Sequence, residues 1–471
     1  MAVHNTDHAK EGTLDLLMPR VKTIYFIGIG GVSMCVLAKM SVARGYSVMG
    51  SDSACNEGVM SLSLAGIPVF SPGENTPIID ADLAVYTGAI EKDHPEYKRA
   101  RDLGIPLVSR ADFLGWLMKG YRERIGIAGT HGKSTVSAMC TVIAENAGVF
   151  PTAAVGASFP DRLDGYREGK EDYFIFEACE YYDAFLRFCP TVATLTNAEW
   201  DHPDYFSDLA SVIASFRAYL SLPSVKTAVI GIDCQNAVKA SVGILKPILT
   251  FGLSCGADVS AADLRNCGGN YHFTLLVNRE RIGPIELKVP GKHNVINALA
   301  ATASALAAGI SPHCALSALS AFSGVGRRGE LRGEKDGVAY YDDYAHHPTE
   351  IRATLSSLRG RGRLFCIFQP HTFSRTKSLF AETASALALC DVPIVVGIYA
   401  ARESDGGIVD GRSLAAAIGC GALYFETPEE AIAFSRSEAK EGDKIVVMGA
   451  GDISARVFRG PLSFLTPREK K

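Results

Sequence analysis

The segment IGIAGTHGKST, residues 125–135, limits the possible fold more than any other stretch of the chain. A short apolar run leads into Gly129 and then a Gly-Lys-Ser-Thr sequence, and an apolar helical pattern follows at once. This order fits a strand, a tight loop and a helix start. Glycine lets the loop close around an anion, and the helix amino end favours negative charge. Gly129, Thr130, His131, Gly132, Lys133, Ser134 and Thr135 would then wrap a nucleoside triphosphate. Lys133 meets the β/γ charge and the Ser134 hydroxyl suits magnesium. The standard pattern has glycine at position 127, where Ile127 stands.

At about 150 residues per domain, 471 residues predict roughly three domains. From about Val21 to Met118, apolar runs such as TIYFIGI, YSVMGSD, ADLAVYTGAI and IPLVS alternate with helical periodicity, the pattern of a parallel α/β unit. A second unit begins at Arg124, with YFIFEACE, TVATLTN and TAVIGI as further strands. Short β-like stretches between roughly Leu249 and Pro290 predict an antiparallel insert, and a long helix after GKHN runs to about Ala308. A third α/β unit opens near Val338, where VAYYDD, RLFCIFQ, VPIVVGIY, ALYF and DKIVVMGAGD predict a doubly wound sheet. The expected domains are 1–120, 121–325 and 326–471: a Rossmann-like domain, a central P-loop α/β domain with a small antiparallel insert, and a second Rossmann-like domain.

Composition excludes several functions. Forty-seven Lys and Arg against 51 Asp and Glu give a net charge of −4, so the bulk electrostatics do not ask for nucleic acid or an anionic membrane. The 12 cysteines form no CxxC pair or tight Cys/His cluster, which predicts free thiols and a cytoplasmic protein. The amino terminus is too polar for a secretory leader, no apolar run is long enough to span a membrane, and the PREKK tail reads as a solvated end.

Other candidate residues sit where strands end. Gly28, Gly30 and Gly31 follow the first strand and precede a helix, a place for a diphosphate, and Asp52 ends the next strand where a dinucleotide fold keeps its ribose-binding acid. Ser33 occupies the position of the third fingerprint glycine, which weakens a nicotinamide cofactor. Glu177, Glu180, Glu199, Asp201 and His202 follow two strands of the central unit. On chemistry alone Glu180 suits magnesium better than His202. Asn294 reads as a helix N-cap. Arg327 and Arg328 are either solvated or aimed at phosphate. Asp342, Asp343, Tyr344, His346 and His347 crowd a strand-to-helix turn with Pro348 in the helix's first turn, and His371 and Arg375 follow the next strand. Arg375 is suited to clamp a carboxylate.

Together FIGIGGVSM, AGTHGKST, EACEY, TNAEWDHPDYF, GKHNVINALAA, DDYAHHPTEI and FQPHTFSRT resemble the Mur ligases, which build the peptide stem of bacterial cell-wall precursors by ATP-driven amide formation. The resemblance runs from about Thr23 to Asp452. It implies that Gly28, Gly30, Gly31, Ser51, Asp52 and Thr87 bind a UDP-sugar. It adds Asn294, Arg328 and Asp343 to the ATP-binding loop, and gives magnesium the ligands Ser134, Glu180 and His202. Tyr344, His346 and Arg375 would receive the amino acid, with Lys133, His202, His347 and Arg375 as catalytic groups; His202 and His347 are the candidates to take the amine proton. Cys179 and Gly329 depart from the family pattern. The implied reaction couples L-alanine to the lactyl carboxylate of UDP-N-acetylmuramate through an acyl phosphate, with UDP-N-acetylmuramate, ATP and L-alanine as small-molecule substrates and neither nucleic acid nor membrane insertion expected. The alternatives are attachment of a murein tripeptide to the same sugar nucleotide, or a dinucleotide-dependent oxidoreductase. A loop lysine facing phosphate further predicts that Lys133→Ala spares the fold.

Overall fold

The computed structural model describes residues 12–462 and residue 465, apart from 55, 74, 75, 89, 402, 405, 406, 408 and 420. The PREKK tail and residues 1–11 lie outside the described residues. The chain forms two compact units. The first holds the described residues up to Asn197 together with Ala214–Phe251 and Ala300–Ala315, and the second holds the remainder.

The first unit contains two sheets. Strands β1 (Thr23–Ile27), β2 (Ser47–Ser51), β3 (Val69–Phe70), β4 (Leu83–Tyr86) and β5 (Leu107–Ser109) lie parallel in the order 3-2-1-4-5. The order reverses beside β1, which opens a crevice at the glycines that follow it. Seven further strands are β6 (Glu123–Ala128), β7 (Pro151–Ala154), β8 (Tyr166–Arg167), β9 (Lys170–Glu177), β10 (Val192–Leu195), β11 (Thr227–Gly231) and β12 (Ile248–Phe251). They run in the order 12-11-10-6-9-7-8, parallel except for the β7–β8 pair. The first of these to leave the ribosome, β6, is therefore central, and its loop emerges between the ends of β9 and β10. Buried on both faces, β6 and β10 are near-continuously apolar, as parallel strands under helices must be.

The second unit carries the antiparallel strands β13 (Val259–Cys267), β14 (Asn270–Val277) and β15 (Glu280–Leu287), and a mixed sheet of β16 (Glu330–Lys335), β17 (Val338–Asp343), β18 (Leu364–Phe368), β19 (Val392–Val395), β20 (Leu423–Tyr424) and β21 (Lys444–Met448). The mixed sheet has the order 16-17-21-18-19-20, and only β16 is antiparallel to its neighbour. Alternation along β18 explains its two cores. Leu364, Cys366 and Phe368 pack with Ile351 and Leu355 on one face, while Phe365 and Ile367 pack with Val338 and Ile432 on the other. Each buried phenylalanine contributes about 2–3 kcal/mol.

Three details differ from the sequence reading. The antiparallel insert starts at Val259, because Ile248–Phe251 still pairs parallel with β11. Strands β3, β7, β8 and β16 were not expected: β3 and β8 have two residues each, β7 is only PTAA, and β16, ELRGEK, is a polar edge. The long helix spans Lys292–Ala307, so Asn294 lies inside its first turn and is not the N-cap. Gly291, at φ 97°, turns the chain three residues earlier than a cap at Asn294 would, and the Asn294 backbone amide donates to the Gly291 carbonyl at 3.1 Å. Among the described residues no helix is long and apolar enough to cross a membrane.

Candidate active site

The loop after β6 is built by its neighbours on either side. Gly129 has φ 138°, and a β-carbon there would stand 2.0 Å from Thr196 Oγ1, so no other residue fits. Thr196 follows β10, and its hydroxyl donates to the His131 carbonyl at 2.8 Å. Asn197 accepts the His131 N–H at 2.8 Å and returns a bond from Nδ2 to the His131 carbonyl at 3.0 Å. Gly132, at φ 84°, turns the chain into the helix Lys133–Asn146, whose first turn buries Ser134 and Thr135.

Lys133 folds back over this loop. Its Nζ donates to the Gly129 carbonyl at 2.5 Å and to both oxygens of Glu180 at 3.0 and 3.1 Å. Burial opposes the ammonium charge, but the Glu180 carboxylate outweighs it and holds the lysine above its ordinary range. Glu180 is itself 3% exposed. Lys133→Ala would therefore strand a buried carboxylate, and the expectation that it spares the fold is corrected. Beside this pair, burial raises the Cys179 thiol, which stays protonated and neutral. Glu177 is taken up by the Gly156 amide.

The glycine loop after β1 is held from the second strand. The Gly28 and Ile29 amides both donate to the Ser51 carbonyl at 2.9 Å, and Asp52 accepts the Gly30 amide at 2.8 Å and the Ala54 amide at 2.9 Å. A β-carbon on Gly28 would meet Thr87 Cγ2 at 3.0 Å, so Thr87 flanks the same turn from the end of β4. Ser51 is fully buried and its hydroxyl donates to Glu96 at 2.5 Å, beside the Tyr25 hydroxyl on the same carboxylate. This corrects the expectation for Ser51: it supports the loop and offers no side chain to a ligand. Val59 and Gly58 press the helix Glu57–Leu64 onto Gly30. That helix is anchored through Ser61, whose hydroxyl donates to Asp164 at 2.5 Å, where Lys39 also binds at 2.5 Å.

In the second unit, the end of β17 carries a buried carboxylate that organises its surroundings. Asp343 accepts the Ala345 and Gly329 amides, each at 2.7 Å, and the Thr354 hydroxyl at 3.1 Å. Burial raises its pKa to about 6. With its oxygens so occupied, Asp343 positions the turn, and Gly329, at φ 63°, is the glycine whose amide it holds. Arg327 and Arg328 both lie over the Tyr344 ring, 4.9 Å from its centroid. Arg327 donates to the Gly449 carbonyl at 2.6 Å, and Arg328 stands 3.9 Å from Glu350.

The histidines of this turn are not equivalent. His347 caps the helix Pro348–Leu358: its Nδ1 accepts the Thr349 amide at 3.3 Å, and Glu350 returns the capping box. With Nδ1 accepting, Nε2 bears the proton and faces the Trp200 carbonyl at 3.4 Å. Both nitrogens are engaged, so His347 is not placed to take an amine proton, contrary to expectation. His346 donates from Nδ1 to the Tyr344 carbonyl at 3.0 Å, and burial with Arg375 pushes its pKa to about 3. The ring is neutral at physiological pH.

Arg375 is the hub. Its guanidinium donates to Asp201 at 2.8 Å, to His371 Nδ1 at 3.0 Å and to His202 Nδ1 at 3.5 Å. A guanidinium has no acceptor, so both imidazoles turn a lone pair towards it. Arg375 and Asp201 are each 8% exposed. Burial would raise the Asp201 carboxyl, but the Arg375 guanidinium, the largest opposing influence, holds it well below the usual range. The carboxylate clamped by Arg375 in this state is thus the protein's own. Thr196, Asn197, Glu350, Thr354 and the Lys39–Ser61–Asp164 cluster were missed by sequence reasoning. Only Asn197, the last residue of TVATLTN at a strand end, gave any signal.

Comparison with known proteins gives the family. Residues 23–122, 127–305 and 327–451 match the Mur ligase family catalytic domain, the Mur ligase middle domain and the Mur ligase glutamate ligase domain. The chain is 38% identical over 450 residues to a UDP-N-acetylmuramate–L-alanine ligase of Caldanaerobacter subterraneus subsp. tengcongensis, covering 93% of this chain and 97% of that one. It is 39% identical to the ligase of the same name from Acetivibrio thermocellus, covering 93% and 96%. Among solved structures, the UDP-N-acetylmuramate-alanine ligase of Thermotoga maritima superposes with a TM-score of 0.80 at 27% identity, covering 94% and 99%. A murein peptide ligase of Psychrobacter arcticus gives 0.74 at 25% identity, covering 94% and 98%. With its three sheets, its glycine loop after β6 and matches along nearly its whole length, the chain belongs to the Mur ligase family.

Proposed function

We propose that the chain joins L-alanine to the lactyl carboxylate of UDP-N-acetylmuramate, coupled to ATP cleavage, to give UDP-N-acetylmuramoyl-L-alanine, ADP and phosphate. The observation that carries this reading is Lys133, held by Gly129 and Glu180 at the mouth of a phosphate loop, in a chain whose relatives are named for this ligation. Those relatives do not favour the tripeptide or oxidoreductase alternatives.

The chemistry is limited by charge. A carboxylate approaching a γ-phosphoryl group meets like charge, and each unit pair at ~4 Å costs about 1 kcal/mol in water and about 4 at an effective dielectric of 20. Lys133, released from Glu180, offsets part of that repulsion and of the transition-state charge. The first-turn amides of the helix Lys133–Asn146 and the loop Gly129–Gly132 hold the phosphates. We assign Asn294, Arg328 and Asp343 to the nucleotide's surroundings, Asp343 by positioning the turn. Gly28, Gly30, Gly31, Asp52 and Thr87 are assigned to the UDP end. Tyr344, His346 and Arg375 are assigned to the amino acid. The acyl phosphate, once formed, is attacked by the amine, and the tetrahedral intermediate expels phosphate.

We further propose magnesium as the cofactor. The Ser134 hydroxyl and the Glu180 carboxylate are hard oxygen donors that fit it, whereas His202 presents Nδ1 to Arg375 and acts as a positioning group in the arrangement described. When bound, the ion would neutralise phosphate charge. Ten described cysteines are free, which supports a reducing compartment, the cytoplasm.

Mass spectrometry of the product from UDP-N-acetylmuramate, ATP and a mixed amino-acid pool tests the assignment. A single alanyl adduct is expected, and ADP release driven by tripeptide but not by alanine would overturn it. Two variants probe the loops separately. Gly129→Ala should raise the KM for ATP at least tenfold, because its β-carbon collides with Thr196, while UDP-sugar binding measured by calorimetry is unchanged. Asp164→Asn loosens the anchor of the helix that rests on Gly30, so the KM for the UDP-sugar should rise several-fold with the KM for ATP unaltered. Equal effects on both substrates would show that Asp164 serves only the fold.

A further inference from the structure

A cavity of about 660 Å³ in the second unit is lined by none of the residues assigned to the reaction. It lies among the β13–β14 turn, the start of the helix Lys292–Ala307 and the end of the helix Pro348–Leu358. Four of its lining side chains, Lys292, Arg359, Arg361 and Lys444, are cations, and no carboxylate lines it. Among the described residues Lys292, Arg359 and Arg361 have no ion-pair partner. Lys292, Arg359 and Arg361 are exposed at its rim, and cations gathered around a concavity without acids focus a positive potential that draws anions.

The arginine loop is built and not a casual charge run. It reads Arg359-Gly360-Arg361-Gly362-Arg363. Gly362 has φ 78°, and a β-carbon there would lie 2.0 Å from the Gly442 carbonyl, so the loop conformation is fixed by glycine. Its third arginine is sorted away from the cavity: Arg363 pairs with Asp443 at 2.9 Å. Lys444 donates to the Leu358 carbonyl at 2.6 Å, which offsets the negative end of the helix that closes the cavity. On the opposite wall Asn266 fixes the hairpin by accepting the Gly269 amide at 2.8 Å and donating to the Tyr271 hydroxyl at 3.3 Å. The volume falls within the range of small-ligand sites.

We propose that this cavity binds a small phosphoanhydride, an anion with at least two linked phosphate groups, at a site separate from both nucleotide loops. Arg359 and Arg361 supply forked donors suited to phosphate, and Lys292 and Lys444 supply point charges.

The test is a footprint on the intact chain with inorganic pyrophosphate as probe. Phenylglyoxal modification is read by mass spectrometry, with the exposed Arg122 as internal control. Pyrophosphate is expected to protect Arg359 and Arg361 at least fivefold at an ionic strength where chloride protects neither. ATP and UDP are run in parallel to distinguish which phosphoanhydride is preferred. Arg359→Ala combined with Arg361→Ala should remove one equivalent of pyrophosphate binding by calorimetry while leaving ligase kcat and the melting midpoint as in the parent. No protection, equal protection at Arg122, unchanged binding stoichiometry in the double variant, or tighter protection by a short single-stranded RNA than by pyrophosphate would each overturn the proposal.

Discussion

Lys133→Ala is expected to lower kcat by about 10²–10³-fold, the usual loss when one preorganised transition-state cation or donor is removed. It should also destabilise the ligand-free protein, because Glu180 is left buried without its partner, a change that costs about 3 kcal/mol at the low end for broken buried pairs. The two effects separate in the double variant. Lys133→Ala with Glu180→Gln removes the stranded charge, so urea unfolding should return close to the parent midpoint while turnover stays lost. A single variant as stable as the parent would mean that the Lys133–Glu180 pair contributes nothing in the empty loop. ADP release at the parent rate would remove Lys133 from the chemistry.

Arg375→Met should be the most damaging substitution in the second unit. Asp201 then keeps its burial and loses its strongest counter-charge, an expected cost of about 3–5 kcal/mol. Combining it with Asp201→Asn should recover much of that stability without restoring catalysis. The acid limb of the stability profile gives an independent check. A carboxyl held low in the folded chain contributes stability that is complete above its unfolded value of about 4 and is lost as pH falls through the lower folded value. The parent therefore gains stability from Asp201 as pH rises towards about 4, and Arg375→Met should lack that gain. Superimposable acid unfolding curves for parent and variant would refute the role assigned to Arg375.

The sheets were legible because parallel strands buried on both faces must be apolar runs, and each was punctuated by glycine or a polar turn. TIYFI, RIGIA, LFCIF and KIVVM all appear as strands. The loop after β6 was legible for a different reason: its glycines take positive φ values that other residues rarely adopt. What could not be read were pairings between distant parts of the chain. Lys39 and Asp164 are 125 residues apart, and Arg375 and Asp201 are 174 apart. No local pattern announces either. The same gap explains His347, whose neighbours in sequence suggested chemistry but whose two nitrogens are spent on a helix cap and a backbone carbonyl. Asn294 was misplaced by a single turn of geometry at Gly291.

The clasp of Asp52 on the Gly30 amide implies a rule of exchange for whatever docks after the first strand. An incoming phosphoryl oxygen seeks that amide, yet it would face a carboxylate already seated there. A guest that brings a vicinal diol can hand Asp52 a new pair of hydroxyl partners as its phosphate claims the vacated N–H, so the swap keeps every hydrogen bond. Bare diphosphate has no hydroxyl to trade and meets only repulsion. On the assignment proposed above, one acid and one glycine would favour a nucleoside-linked diphosphate over the naked anion.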